Sequence, residues 1–243
     1  MTGFRPLLWP TLFTAPAVLL LLALGSWQIQ RLYWKQDLIA QRQAAVSAAP
    51  GAAPQSLEDA QDMEFHHVTD EGVFLHAKEI FLGATSEAGR QGYQVLTPLL
   101  EPGGRIVFVN RGFIPAELKD PARRAAGQIA GKVRVQGLLR LPPDGKPAWF
   151  LPDNRADLNY WFWVDLPAMS AADKLDRVAS FYIDADASPN PGGWPKGGVT
   201  RLVLPNDHLQ YAITWFSLAI ALAAVFAAFL RSRAREQRAQ GGV

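Results

Sequence analysis

Two long apolar blocks lie near opposite ends of the chain, and shorter apolar segments with polar residues between them fill the middle. The first block, residues 7–27, has no charged residue, and about 21 residues at ~1.5 Å per residue give a helix of roughly 31 Å. The second block, residues 209–230, is also uncharged. Because each is long enough to cross the hydrocarbon core of a bilayer, the pattern predicts two terminal transmembrane helices.

Arginines set the predicted orientation of these helices. The tail, residues 231–243, begins with a cluster made of Arg231, Arg233, Arg235 and Arg238. The positive-inside rule places such a cluster in the cytoplasm, so two crossings leave both termini cytoplasmic and export the middle of the chain. Fewer than about ten residues precede the first block, which leaves no room for a transit peptide and favours a bacterial inner membrane. A cleaved signal peptide is the alternative interpretation of the first block.

The middle of the chain predicts a β-rich periplasmic domain. Residues 28–54 begin as a helical extension of the first span and end in a linker rich in alanine and proline. Alternating apolar segments follow and predict strands over residues 68–83, 92–100, 105–115, 132–142 and 180–186. We therefore expect an antiparallel α+β domain over residues 55–188, built as a sheet or a small barrel.

Smaller signals complete this predicted architecture. Pro102, Gly103 and Gly104 predict a hairpin between the second and third strand segments. Residues 166–178 are predicted as a soluble helix that packs on the sheet. Residues 189–207, rich in proline and glycine, are predicted as a flexible connection back to the membrane. Trp194 within it is either a docking residue or an interfacial anchor, and the anchor is preferred.

The composition argues against several classes of function. The chain has no cysteine, which rules out disulfides, thiol nucleophiles and thiolate metal sites. The net charge is only +2, so nucleic acid is not an expected partner. No Gly-x-Ser-x-Gly motif is present, and we expect no enzyme, although an exported hydrolase or lipid-modifying enzyme is a third class to test.

The start of the second span carries the sharpest group of candidate residues. His208, Tyr211 and Trp215 follow one another at i, i+3 and i+7, which places them on one side of a helix. An imidazole at the edge of an apolar helix suits axial ligation of haem iron, with aromatic rings against the macrocycle. The alternative is a capping or interfacial histidine that forms hydrogen bonds near Asn206 and Asp207.

The end of the first span offers a matching group. Trp27, Arg31 and Trp34 lie at i, i+4 and i+7, and Lys35 is beside them. Cations at this depth suit the carboxylates of a haem. The alternative is that Arg31 and Lys35 reach lipid headgroups while the tryptophans anchor the helix.

The domain offers weaker candidates. His66 and His67 are adjacent, so on a strand their side chains point to opposite faces and do not share one metal ion. Arg111 either binds an anion or caps a turn, and the turn is preferred.

Six blocks of sequence together resemble the Surfeit locus protein one family: residues 24–35, 68–79, 92–99, 107–115, 135–140 and 205–216. The resemblance covers nearly the whole chain, and Phe113 stands where the family pattern usually has tryptophan. It implies a non-enzymatic assembly factor for haem-copper oxidases that accepts haem a from its synthase and helps insert it into cytochrome c oxidase subunit I.

The resemblance also suggests site residues. The family histidine falls on His208, and its tryptophan partner is sought first at Trp27 and Trp215. Membrane lipid is a further expected contact, and self-association is left open. The alternative function is a membrane scaffold that stabilises subunit I during assembly without binding haem.

Overall fold

The computed structural model describes residues 5–86, 88–200, 202 and 204–240. Its helices are α1 (Arg5–Ser47), α2 (Leu57–Asp62), α3 (Leu166–Ala172) and α4 (His208–Gln240). Its strands are β1 (Gly51–Ala52), β2 (His67–Phe74), β3 (Ile80–Thr85), β4 (Gln91–Leu100), β5 (Ile106–Pro115), β6 (Lys132–Arg140) and β7 (Val178–Ala185). The chain forms two compact units, one made of the terminal segments up to Gln41 and from Val203, and one made of Arg42–Leu202.

The two terminal helices confirm the predicted membrane protein with two transmembrane helices. α1 and α4 are long and apolar enough to cross a bilayer. Pro10 and Pro16 lie inside α1 without ending it. α1 continues past the apolar block to Ser47, and α4 continues through the arginine cluster.

α1 and α4 pack against each other in antiparallel directions. The side chain of Gln28 contacts His208, and the Asn206 amide nitrogen lies 3.5 Å from the Leu32 carbonyl oxygen. Closer to the middle of the spans, the ring of Phe216 lies against Gly25. The buried positions on α4 include Ala212 and Ala219, and alanine and glycine at such positions let two membrane helices approach closely.

The predicted β-rich domain is confirmed, and its strands close into a small barrel. The order β2-β6-β7-β5-β4 returns to β2 through the pairs Val73 with Leu100 and Phe74 with Leu99. β3 extends the sheet beyond β4, and β1 pairs with β2. The pairings are antiparallel except for β1 with β2 and β5 with β7, which are parallel.

Two parts of the domain differ from the prediction. The segment 68–83 is not one strand, because a 3₁₀ turn over His76–Lys78 separates β2 from β3. The helix predicted over residues 166–178 ends at Ala172, since Lys174 has a left-handed φ of 52° that an α-helix does not accommodate. β7 then begins at Val178.

Strand β5 is buried along its whole length because both of its faces are covered. Val107 and Val109 belong to the core cluster inside the barrel, with Leu99, Leu139 and Phe181. Phe108 points to the other face and packs with a second cluster, which includes Met169 of α3 and also Trp161. Because successive side chains of β5 point to opposite faces, this one strand contributes to two hydrophobic cores.

The segment predicted as a flexible connection is partly built into the domain. The backbone of Lys196 pairs with Phe113 of β5 through two hydrogen bonds of 2.8 and 2.9 Å. Trp194 is half-buried and packs against the cluster of Phe81, Val95 and Ile114. The preferred interpretation of Trp194 as a membrane anchor is therefore wrong, because its ring covers the domain's own core.

Candidate functional site at the facing ends of the two membrane helices

His208 is the first residue of α4, and its ring is held by the other membrane helix. Nδ1 lies 2.7 Å from the side-chain oxygen of Gln28 on α1. Among the residues that the structure describes, none forms a hydrogen bond with Nε2. The ring therefore does not make the hydrogen bonds near Asn206 and Asp207 that the capping alternative required.

Gln28 is a candidate site residue that the sequence patterns did not indicate. The residue is 91% buried on the face of α1 that meets α4, between Gly25 and Leu32. Gln28 is three residues after Gly25 and four before Leu32, a spacing that places all three on one face of a helix. A polar amide on the packed face of a membrane helix is a sign of a contact between helices, and this spacing is the sequence feature that could have identified Gln28. Its partner is 180 residues away in the chain, so only the fold identifies it.

Trp215 lies two helical turns beyond His208 on α4 and shares its packed side. It is half-buried and three residues from the buried Ala212. Tyr211 is different, since it is 56% exposed and turns away from the helix contact. Of the three predicted residues, His208 and Trp215 thus lie at the contact between α1 and α4, here called the seam of the helix pair. Tyr211 lies on an exposed side of the pair, here called its flank.

The candidates on α1 lie on an exposed flank. Trp27 is 53% exposed, and Trp34 is 50% exposed. The guanidinium carbon of Arg31 lies 3.9 Å from the centroid of the Trp34 ring, within cation–π distance. Within the described part of the chain, Arg31 and Lys35 form no ion pair with a carboxylate, so their charges are available to an external anion.

Helical geometry puts the two exposed groups on the same flank. At 100° per residue, Trp27 and Arg31 lie to one side of the contact residue Gln28, and Tyr211 lies to one side of His208. Because the helices are antiparallel, these two sides coincide. The opposite flank is occupied by Gly25 and Phe216, which contact each other there.

The register of the helix pair also brings these residues to similar levels along the helix axes. The contacts of Gln28 with His208 and of Gly25 with Phe216 place Arg31 near the level of His208. By the same register, Tyr211 lies near the level of Trp27. The result is an aromatic flank, made of Trp27, Trp34 and Tyr211, that carries the Arg31 cation and borders the imidazole.

The polar candidates of the domain have partners within the domain. Arg111 is 98% buried and donates hydrogen bonds to the Gly127 carbonyl at 2.6 Å and to the Asn190 side chain at 3.1 Å. Gly127 ends a 3₁₀ helix, so this geometry agrees with the turn-capping interpretation. Burial lowers the pKa of Arg111 to about 10, and the nearby charge of Glu79 opposes that change.

Two of the domain histidines lie beside polar groups of the domain. His76 Nε2 lies 2.9 Å from the carbonyl oxygen of Ile129, and His67 Nδ1 lies 3.5 Å from a carboxylate oxygen of Asp186. Over residues 5–86, 88–200, 202 and 204–240, no group of three or more histidine, aspartate or glutamate side chains is arranged to hold a metal ion.

Comparison with known proteins gives the family. A profile of the SURF1 family matches residues 15–220. The chain is 37% identical over 221 residues to a SURF1-like protein of Monosiga brevicollis, covering 86% of this chain and 83% of the relative. It is 36% identical over 213 residues to Surfeit locus protein 1 of Mus musculus, covering 82% and 68%, and 35% identical over 225 residues to that of Homo sapiens, covering 86% and 73%. The chain belongs to the SURF1 family.

Membership of the SURF1 family confirms the resemblance seen in the sequence. It implies that the protein is an assembly factor for cytochrome c oxidase. The matched region begins inside α1 and ends inside α4, so it includes Gln28, His208 and the whole β-rich domain. The aromatic flank and the imidazole are thus within the part of the chain that defines the family.

Proposed function

We propose that the protein binds haem a and assists its insertion into cytochrome c oxidase subunit I. The observation that carries this proposal is the state of His208: Nδ1 is engaged by Gln28, and Nε2 has no partner among the described residues. An imidazole that is oriented through one nitrogen and open at the other is the arrangement of a metal ligand. The function of the family, oxidase assembly, supplies a reason for such a ligand at a membrane boundary.

The residues around His208 fit the chemistry of haem a. When bound, this group offers an iron that accepts an imidazole nitrogen, two carboxylates and a long apolar tail. Arg31 has no carboxylate partner among the described residues and suits a propionate. Trp215 at the seam, with Trp27 and Tyr211 on the aromatic flank, suits the macrocycle, and the apolar surface of the spans suits the tail.

The proposed topology puts this site at the outer edge of a bacterial inner membrane. The arginines after the second span support cytoplasmic termini, with the β-rich domain in the periplasm. The ends of α1 and α4 that carry Gln28 and His208 then lie at the periplasmic surface, in reach of haem a synthase and subunit I. A single protein ligand at an exposed edge favours transfer of haem onwards over its permanent retention.

An absorption spectrum tests the proposal directly. The protein is coexpressed with the enzymes that make haem a, purified in detergent, and compared with His208→Ala and with His67→Ala, a control histidine in the domain. We expect a haem a Soret band in the wild type and in His67→Ala, and its loss in His208→Ala. A band unchanged in His208→Ala would overturn the ligand assignment.

The scaffold function makes the opposite prediction. A scaffold copurifies with oxidase subunit I but carries no pigment, even where haem a is demonstrably made. Oxidase spectra in a deletion strain that is complemented with His208→Ala complete the test. Full restoration of haem a in the oxidase by this variant would favour the scaffold.

A further inference from the structure

We propose that Gln28 is a positioning residue for His208. The side-chain oxygen of Gln28 accepts a hydrogen bond from Nδ1–H of His208, and this keeps the proton on Nδ1 and leaves Nε2 available to a metal. The inference rests on the proposed function only for the identity of the metal, haem iron. The tautomer of His208 is a property of the protein alone and is measured without haem.

The geometry restricts both partners of this hydrogen bond. The distance from Nδ1 of His208 to Oε1 of Gln28 is 2.7 Å, and Gln28 as a residue is 91% buried in the helix contact. Contacts on both sides of it, between Leu32 and Asn206 and between Gly25 and Phe216, hold α1 and α4 in one register. Gln28 therefore meets His208 at a fixed height and from a fixed direction.

The chemistry of imidazole turns this contact into a choice between two tautomers. A neutral imidazole has one N–H donor and one bare nitrogen, and only the bare nitrogen binds a metal. When the amide oxygen of Gln28 accepts from Nδ1, the bare nitrogen is Nε2. Little water competes for a hydrogen bond at the packed face of two apolar helices, which strengthens the preference.

A second role for a buried amide is to hold two membrane helices together. The two roles respond differently to substitution. Gln28→Met preserves length and apolar packing but removes the acceptor, whereas Gln28→Glu preserves an acceptor oxygen. A residue that only joins the helices changes stability without changing the tautomer of His208.

The decisive experiment is nitrogen NMR of the haem-free full-length protein in detergent, with ¹⁵N in its four histidines. Spectra are recorded at about pH 8.5, where an ordinary imidazole is neutral. His208→Ala assigns the signals, and Gln30→Met is the matched control because Gln30 is exposed on the same helix. We expect Nδ1–H in the wild type, a population with Nε2–H in Gln28→Met, and return to Nδ1–H in Gln28→Glu.

The contrary results are equally specific. Nε2–H in the wild type would mean that the amide nitrogen donates to Nδ1, and the inference would be wrong. An unchanged tautomer in Gln28→Met would also overturn it.

Haem binding provides the second measurement. Loss of an outer-shell partner typically weakens metal binding about 10–100-fold, so we expect that loss of haem affinity in Gln28→Met and recovery in Gln28→Glu. Wild-type protein that has the expected tautomer but binds no haem would contradict the proposed function and leave the role of Gln28 intact. If Gln28→Met and Gln30→Met bind haem with equal affinity, the positioning role of Gln28 would be contradicted, and the proposed haem binding would not be affected.

Discussion

Arg124 and Glu79 form an ion pair inside the domain, with Nη2 of the arginine 2.5 Å from Oε2 of the glutamate and both side chains at least 98% buried. Gln128 donates a further hydrogen bond of 3.1 Å to the same carboxylate. Burial raises the pKa of Glu79, but the hydrogen bonds and charge of Arg124 outweigh it, so the pKa lies below its ordinary value. Glu79 follows the 3₁₀ turn that separates β2 from β3, and the pair thus ties this turn to the loop after β5.

Loss of Arg124 is expected to destabilise the protein strongly. Arg124→Ala leaves a buried carboxylate without its main partner, and breaking a buried pair in this way costs about 3–5 kcal/mol. Arg90 and Glu117 form an exposed pair in the same domain, so Arg90→Ala is the control and is expected to cost about 1 kcal/mol or less. Denaturant unfolding of the full-length protein in detergent measures both. Equal losses would show that burial of the first pair has no consequence.

Ionisation of Asp70 is expected to destabilise the domain as pH rises from about 4 to about 6. Burial and the neighbouring carboxylate of Glu101 raise the pKa of Asp70 from 3.8 to about 6. The folded protein therefore binds this proton more tightly than the unfolded chain. Above about pH 6 both states are ionised, so the stability that the bound proton contributes at lower pH is lost.

Asp70→Asn isolates this contribution. The amide has no charge to bury, so at pH 7 the variant is expected to unfold with a free energy about 1–3 kcal/mol higher than the wild type, and the two should converge near pH 4. Glu58→Gln, an exposed position on α2, should leave the pH dependence unchanged. Chemical unfolding at several pH values measures this, and a constant difference between wild type and Asp70→Asn would contradict the assignment.

Local patterns were sufficient to predict most of the strands. β4, β5 and β6 follow from apolar segments bounded by turn residues, and Pro102, Gly103 and Gly104 do form the hairpin between β4 and β5. The early end of α3 was not predictable in the same way. Residues 173–177 have a helical composition, but Lys174 and Arg177 adopt left-handed backbone angles that no local pattern announced.

The site was predictable only where its signal lies within one helix. His208 and the aromatic residues have helical spacing, which the sequence displays. The role of Gln28 depends on its contact with His208 on the other membrane helix. In the domain, Glu79 and Arg124 are likewise 45 positions apart in the chain. Such contacts depend on the tertiary fold, so a single sequence does not reveal them.

Gly25 is expected to set the distance between the two membrane helices. A Cβ atom at this position would lie 2.7 Å from the Phe216 ring, closer than normal van der Waals contact. Gly25→Leu should therefore separate α1 from α4 or displace the ring, at a typical overpacking cost of about 1–3 kcal/mol. Phe216→Ala in the same protein should restore the spacing, because it removes the atoms that clash.

Spin labels measure this spacing without background, because the natural chain has no cysteine. Leu19 and Ile220 are exposed, lie at about the same level of the helix pair, and accept Leu19→Cys and Ile220→Cys labels. The distance between the labels is expected to increase in Gly25→Leu and to return in the double variant with Phe216→Ala. The same distance in all three proteins would show that Gly25 does not control the contact.

The absence of cysteine also permits a direct test of topology. Trp149 is 90% exposed at a loop of the domain, and Gln237 is exposed within the arginine cluster that follows the second span. If the arginines remain in the cytoplasm, a membrane-impermeant maleimide added to intact spheroplasts should label Trp149→Cys and should label Gln237→Cys only after lysis. Unsubstituted protein is the control for non-specific labelling. The reverse pattern would place the domain in the cytoplasm and would remove His208 from the side of the membrane that the proposed haem transfer requires.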